Sequence, residues 1–245
     1  MFPYHDENET ERTPIVTIAI IAICVLVWVV VQGAGSERAV AESVCNYGLI
    51  ASELTGAGPV GEAIPMSEGM VCVVDKGPEY LSIFSSMFLH GGWMHLLGNM
   101  WFLWLFGNNI EDSMTRPRFV VFYLLSGIAA ALLQVLSNPA SPVPMIGASG
   151  AISGVMGAYL VLYPKVKVYT LLPLGFFTTT YALPAWVMLI YWIGLQLLGG
   201  FGAGEGGVAF WAHVGGFVAG IALVKLFARR DRVLLHSAGR FHPVR

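Results

Sequence analysis

The sequence predicts an all-α polytopic membrane protein, a bundle of six transmembrane helices with both termini in the cytoplasm. Charged residues make up 11% of the 245-residue chain and hydrophobic residues 56%, whereas soluble domains carry about 25% charged residues. The apolar residues also fall in long uncharged runs, and runs of about 18 or more residues are typical of membrane spans. Lys and Arg are strongly biased toward one side of the predicted spans.

The first span is predicted at residues 14–32, inside a membrane domain of residues 13–228. Thr13 and Pro14 resemble a helix N-cap followed by proline at the first helical position. Residues 1–12 are acidic, unlike a signal peptide or a mitochondrial presequence, which begin basic. They are therefore predicted to form a cytoplasmic N-terminal tail.

An outer loop is predicted at residues 33–91. Its part 33–80 is polar and carries seven acidic residues against Arg38 and Lys76. A structureless loop of this length is more often functional than idle. The segment Tyr80 to Leu89 mixes large apolar residues with serines, so it could lie in the membrane interface.

The outer loop also contains two of the three cysteines, Cys45 and Cys72. A disulfide is plausible if the loop lies outside the cell, because disulfides persist in oxidising compartments. Two cysteines carry little information, so a disulfide and two free thiols both stay open.

The fourth predicted span has about 16 residues, which is short for a bilayer core about 30 Å thick at 1.5 Å per residue. A short span of this kind indicates an interior lined by protein or water. A basic tail, residues 229–245, follows the last span and is predicted to be cytoplasmic. The second to sixth spans are predicted at 92–109, 119–137, 149–164, 183–199 and 208–227.

The distribution of positive charge orients the six spans. With the N-terminus inside, eleven Lys and Arg residues fall on the inner side and two on the outer side. Inner segments of membrane proteins carry the excess of positive charge. Both termini are therefore predicted to be cytoplasmic.

Four polar residues on three spans then share one depth below the outer surface: His95, Asn99, Ser149 and His213. Polar residues inside a membrane are costly unless they are paired or hydrated. A serine is weakly nucleophilic alone and needs a base within hydrogen-bond reach. We therefore predict that Ser149 attacks a peptide bond and that His213 takes its proton.

His95 and Asn99 are four residues apart, so they share one helix face and could donate to the same oxygen. The backbone N–H groups of Ser149 and Gly150, at the start of a helix, would favour negative charge there. The predicted spans contain no Asp or Glu, so a dyad rather than a triad is expected. His90 and His95 lack a carboxylate or thiolate at their depth, so no metal and no cofactor are expected.

Small residues on the fourth and sixth spans have the spacing of closely packed membrane helices. Close packing of these two helices would bring Ser149 to His213. The residues are Gly154, Gly157, Gly216 and Gly220.

Together, His95-x-x-x-Asn99, Gly147-Ala148-Ser149-Gly150 and Ala212-His213-x-x-Gly216-x-x-x-Gly220 resemble the rhomboid family of intramembrane serine proteases. The resemblance implies a six-helix core, a dyad of Ser149 and His213, and an oxyanion site from His95, Asn99 and the Ser149 N–H. It implies that the partner in the lipid bilayer is a membrane protein with a single transmembrane helix. That helix would enter beside the second and fifth spans and be cut near its outer end.

Two positions depart from the family pattern. Many rhomboids have an aromatic residue four positions after the serine, against which the histidine stacks, whereas this chain has Ser153. We hypothesise that Ser153 hydrogen-bonds His213 instead. The Trp-Arg pair of the first outer loop is here Leu81-Ser82.

Other interpretations of the same residues compete with catalysis. Taken alone, Ser149 could be a packing serine and His213 a hydrogen-bonded core histidine. A silent rhomboid-like protein that binds membrane helices is less compatible with an intact serine and histidine. A transporter would show paired repeats, which are not found, and nothing indicates nucleic acid. The expected location is a bacterial inner membrane, with the site opening to the outer side.

Overall fold

The computed structural model describes residues 2–67, 69–75, 77–174, 177–202 and 208–233. Within these ranges the chain forms nine α-helices and five β-strands. The helices are α1 Ile15–Val30, α2 Glu37–Tyr47, α3 Ala51–Thr55, α4 Ser82–Ser85, α5 Trp93–Asp112, α6 Arg116–Ser137, α7 Ser149–Leu162, α8 Ala185–Gly202 and α9 Phe210–Phe227. The strands are β1 Phe2–Asp6, β2 Ala63–Ser67, β3 Met70–Val73, β4 Lys167–Leu174 and β5 Phe177–Pro184.

Each of the six predicted spans overlaps one helix, namely α1, α5, α6, α7, α8 or α9. Among the described residues, α6, α8 and α9 are long and apolar enough to cross a membrane, and α1 and α7 are shorter apolar helices. The protein is therefore a mostly helical membrane protein. The fourth predicted span, 149–164, ends two residues early, because Tyr163 leaves the helical conformation just before Pro164.

Helix α7 is the centre of the bundle. Its 14 residues correspond to about 21 Å, well short of the hydrocarbon thickness. Every residue from Gly150 to Tyr159 is buried, so this helix contacts protein on all sides.

Glycines bring α7 and α9 into backbone contact. A Cβ added to Gly216 would lie 1.9 Å from the Gly150 carbonyl oxygen, and one added to Gly220 would lie 1.9 Å from that of Gly154. A Cβ on Gly157 would lie 2.2 Å from the Phe217 carbonyl oxygen. Helices can approach this closely only where both surfaces lack side chains.

The expectation of an all-α fold is wrong in part, because two small sheets accompany the helices. Strand β4 pairs antiparallel with both β1 and β5, in the order β1-β4-β5, and Phe2 lies opposite Leu171. The stretch 1–12, predicted as a tail, thus supplies an edge strand. Strand β4, which pairs with it, contains Val168, Tyr169 and Thr170, residue types that favour strands. This strand lies in a segment that no predicted span covered.

Strand β1 is attached to α5 and α7 through a buried carboxylate. Asn109 Nδ2 donates to Asp6 Oδ2 at 3.0 Å, and the Tyr159 hydroxyl donates to the same oxygen. Burial raises the pKa of Asp6 to about 6, against these hydrogen bonds, which lower it. Two turns earlier in α5, Trp101 Nε1 donates to the Pro3 carbonyl at 2.7 Å. The N-terminal segment is therefore part of the folded bundle.

The predicted polar loop 33–80 is not structureless. It contains α2, α3 and the β2–β3 hairpin, and a disulfide between Cys45 and Cys72 joins α2 to β3. Leu49 and Ala51 pack in a small core against Ala131 and Val135 of α6. The polar composition of the loop did not indicate this ordered structure, because a few apolar residues are enough to pack the segment against α6.

Residues 33–91 also hold the chain just before α7. Leu49 and Met145 exchange two backbone hydrogen bonds of 2.9 and 2.8 Å. Gly147 N–H donates to the Ser86 carbonyl at 2.8 Å. The chain segment that leads into Ser149 is thus held by hydrogen bonds to two other parts of the chain. In the segment predicted to be interfacial, Leu81 is 79% exposed whereas Met87 is buried.

Candidate active site

Ser149 is the first residue of α7, and His213 lies in the first turn of α9. His213 Nε2 lies 2.8 Å from Ser149 Oγ, which is hydrogen-bond distance. The backbone contacts at Gly216 and Gly220 set the spacing of the two helices, and so of the two side chains. The predicted pair of residues is therefore brought together.

The other ring nitrogen of His213 faces Gln196 on α8. Nδ1 lies 2.7 Å from Gln196 Oε1, and Gln196 Nε2 donates to the Trp192 carbonyl at 3.3 Å. An amide oxygen only accepts, so the Nδ1 of a neutral His213 carries the proton. The lone pair of Nε2 then points at the Ser149 hydroxyl.

The hypothesis that Ser153 hydrogen-bonds His213 is wrong. The Ser153 hydroxyl is fully buried and donates to the Ser149 carbonyl at 2.6 Å. A serine inside a helix readily bonds the carbonyl four residues earlier. Trp192 also lies beside the imidazole, with ring centroids 5.7 Å apart, so an aromatic neighbour comes from α8 rather than from α7.

His95 and Asn99 of α5 lie next to Gly147, two residues before Ser149. A Cβ on Gly147 would lie 2.8 Å from His95 Nε2 and 3.6 Å from Asn99 Nδ2. Gly147 also has a φ of +118°, which favours glycine. Any side chain at this position would fill the space in front of the two polar groups.

The hydrogen bonds of His95 and Asn99 leave donors free. Gly91 N–H donates to His95 Nδ1 at 3.2 Å, so a neutral His95 carries its proton on Nε2. Asn99 Nδ2 is buried and has no hydrogen-bond partner in the described part of the chain. Such an unpaired donor costs about 1–3 kcal/mol, and a ligand oxygen at this position would relieve it.

The start of α7 adds backbone donors. Ala148, the N-cap, makes no side-chain cap hydrogen bond. The first amides of a helix, here including those of Ser149 and Gly150, have no partner within the helix. A cavity of about 20 Å³ adjoins Ser149 and is lined by residues including Met87, Ile146 and Ala209. It has room for about one water molecule.

Three glutamines that no sequence motif indicated also support the site. Gln196 contacts His213 as described, and Gln134 Oε1 accepts from Ala212 N–H at 3.1 Å, in the turn that carries His213. Gln32 bonds both backbone groups of His90, at 2.8 and 2.9 Å, next to Gly91. Each glutamine lies in or beside an apolar helix. A polar side chain in such a position is costly unless it is hydrogen-bonded, and this cost was the signal that could have pointed to the glutamines.

His90 is fully buried against His95, with ring centroids 5.2 Å apart. Burial lowers the pKa of His90 to about 3, and neighbouring His95 lowers it further. The ring is therefore neutral at physiological pH. Among the residues that the structure describes, no group of three or more His, Cys, Asp or Glu could hold a metal ion.

The fold and the site together define the class of protein. It is a mostly helical membrane protein in which a serine and a histidine are in contact at two helix ends. Comparison with known proteins identifies the group within that class. A Rhomboid domain matches residues 77–230, more than half of the chain. The protein belongs to the rhomboid family.

Named relatives agree with this assignment. The chain is 29% identical over 171 residues to "Rhomboid protein 1, mitochondrial" of Saccharomyces cerevisiae, covering 66% of this chain and 47% of that protein. It is 31% identical over 150 residues to "Rhomboid-like protease 5" of Toxoplasma gondii, covering 58% of this chain and 16% of the relative. The chain thus spans less than half the length of these relatives.

Proposed function

We propose that the protein is an intramembrane serine endopeptidase that cleaves transmembrane segments near their outer end through a dyad of Ser149 and His213. The observation that carries the proposal is the 2.8 Å contact between Ser149 Oγ and Nε2 of His213, whose other ring nitrogen faces the Gln196 amide oxygen. A nucleophile within hydrogen-bond reach of an oriented base is the arrangement that activates a serine.

In the proposed reaction Ser149 Oγ attacks the peptide carbonyl carbon while His213 Nε2 takes the hydroxyl proton. The carbonyl oxygen becomes an oxyanion that accepts from Asn99 Nδ2, His95 Nε2 and the first amides of α7. Collapse breaks the C–N bond, and His213 returns the proton to the leaving amine. Water then hydrolyses the acyl-enzyme by the same steps.

The membrane arrangement belongs to the proposal. Helices α1, α5, α6, α7, α8 and α9 form six spans with both termini inside, supported by eleven inner against two outer positive residues. The site then opens to the outer side. A substrate with a single transmembrane helix reaches it between α5 and α8, as the rhomboid resemblance implies.

The relatives named with a compartment include a mitochondrial one, which does not support the expected bacterial inner membrane.

The test is covalent labelling of Ser149. A serine-directed fluorophosphonate should label the purified protein once, at Ser149, and a fluorescent transmembrane-helix substrate should be cleaved. Ser149→Ala should abolish both, because the attacking oxygen is gone. Ser153→Ala is the matched control in the same helix and should keep the label.

Equal labelling of Ser149→Ala and the unmodified protein would overturn the proposal. Retention of the substrate without labelling or cleavage would instead identify a silent protein that binds membrane helices.

Asn99→Ala should lower kcat by about 10²–10³ with little change in KM, because the Asn99 amide pairs with the oxyanion and not with the bound ground state. Steady-state cleavage kinetics in detergent or liposomes measure the split. Gly98→Ala is the matched control on α5, since a Cβ there meets nothing within 4 Å. A change confined to KM would argue against an oxyanion role.

A further inference from the structure

We propose that Gln196 is a positioning residue, which holds His213 in the tautomer and orientation that accept the Ser149 proton. This inference rests on the proposed protease function and adds a third member, supplied by α8, to the pair on α7 and α9. The amide of Gln196 occupies the place that a carboxylate takes in a three-residue arrangement.

The hydrogen bonds of Gln196 determine its orientation. Its Nε2 donates to the Trp192 carbonyl one turn earlier, so its Oε1 is left to face His213 Nδ1 at 2.7 Å. If the amide were flipped, Nε2 would face the imidazole and the bond to Trp192 would be lost. The observed orientation selects the Nδ1–H tautomer.

The opposite tautomer would disable the base. With its proton on Nε2, His213 would direct a donor at Ser149 Oγ, and two acceptors would face each other at Nδ1 and Gln196 Oε1. The close contact to Gln196 makes this arrangement unfavourable. Gln196 thus increases the fraction of molecules in which the serine can be deprotonated.

A neutral amide suits this location. A carboxylate in an apolar helix carries a desolvation cost, which a half-buried amide such as that of Gln196 avoids. The surroundings of His213 are otherwise low in charge. Ser149 lies on α7, Trp192 on α8 and Gln134 on α6 beside its backbone, and His95 of α5 is the titratable neighbour that acts on it electrostatically.

The bundle does not need Gln196 for its packing. The buried residues of α8 are Ala185, Met188 and Leu189, all within its first five residues, whereas Gln196 lies further along, between exposed Leu195 and Leu197. Loss of the amide should therefore leave the fold in place. An effect on activity can then be read as an effect on His213.

Two substitutions test the inference. Gln196→Leu keeps the size but removes the acceptor, and kcat should fall about 10- to 100-fold with KM within about twofold, since removal of a partner that fixes the base tautomer lowers kcat. Gln196→Glu restores an acceptor and should recover most of the rate.

The pH–rate profile gives a readout that a structural role would not move. A carboxylate beside Nδ1 stabilises the imidazolium, so the acidic limb of kcat in Gln196→Glu should move to higher pH by about one unit or more. Nitrogen-15 NMR of labelled histidine should show the Nδ1–H tautomer of His213 in the unmodified protein and a mixture in Gln196→Leu. Gly194→Ala is the matched control, because a Cβ there meets nothing within 4 Å.

These outcomes distinguish a failure of the Gln196 inference from a failure of the protease proposal. An unchanged kcat in Gln196→Leu, or an unchanged Nδ1–H tautomer of His213 in that variant, overturns the positioning role. If Ser149→Ala abolishes cleavage in the same preparation, the protease proposal stands while the inference about Gln196 fails. If Ser149→Ala cleaves normally, the protease proposal itself fails.

Discussion

Replacing Ser149 by alanine is expected to lower kcat for a transmembrane-helix substrate by about 10⁴–10⁶, because serine proteases that lose the nucleophile lose about this much. His213→Ala should have a similar effect, since its Nε2 is the base in contact with Ser149 Oγ. Binding of the substrate should persist, because neither side chain holds the substrate helix. Cleavage kinetics with parallel substrate pull-down measure both.

Combining Ser149→Ala with His213→Ala should cost no more than either alone, because residues that act as a unit are strongly non-additive. Ser126→Ala is the matched control. Its hydroxyl is buried on α6 and has no hydrogen-bond partner among the described residues, so its loss should leave kcat unchanged. Additive losses in the double variant would contradict a shared proton transfer.

Gly216→Ala and Gly220→Ala are expected to destabilise the bundle and remove most activity. Each new Cβ would lie 1.9 Å from a carbonyl oxygen of α7, so the two helices must separate. Overpacking of this kind costs about 1–3 kcal/mol or more. A displacement of about 1 Å at the dyad can cost about 10² in rate. Thermal unfolding in detergent and kcat measure the two effects.

Gly98→Ala and Gly194→Ala provide matched controls for these glycines. Both are helical, and a Cβ at either position meets nothing within 4 Å. Alanine favours helix over glycine by about 1 kcal/mol, so the controls should be as stable as the unmodified protein or more so. If Gly216→Ala were equally stable and active, the backbone contact between α7 and α9 would not determine the geometry of the dyad.

Helix positions were predictable because each span is a local pattern. The predicted spans 92–109 and 208–227 differ from α5 and α9 by at most three residues at either end. A run of apolar residues has to be helical in a bilayer, where every backbone polar group needs an internal partner. That requirement acts within one segment, so it can be read from consecutive residues.

The strands and the ordered structure of residues 33–80 were not predictable in the same way. Strand β4 pairs with Phe2–Asp6, more than 160 residues away, and Leu49 is bonded to Met145. The sequence of neither partner contains a pattern that indicates which distant residue it will pair with. The Cys45–Cys72 disulfide stayed an open alternative in the sequence for the same reason.

The sequence by itself determined the membrane class, the positions of six helices, and the residues His95, Asn99, Ser149 and His213 as one group, because a polar residue in an apolar segment is costly and is therefore visible locally in the sequence. Only the tertiary structure decided which groups orient them. It placed the second ring nitrogen of His213 against Gln196, with Ser153 bonded to the Ser149 carbonyl, and left Asn99 Nδ2 without a partner among the described residues. The physical reason is that a hydrogen bond requires distance and direction between side chains on different helices, and these follow from how the helices pack.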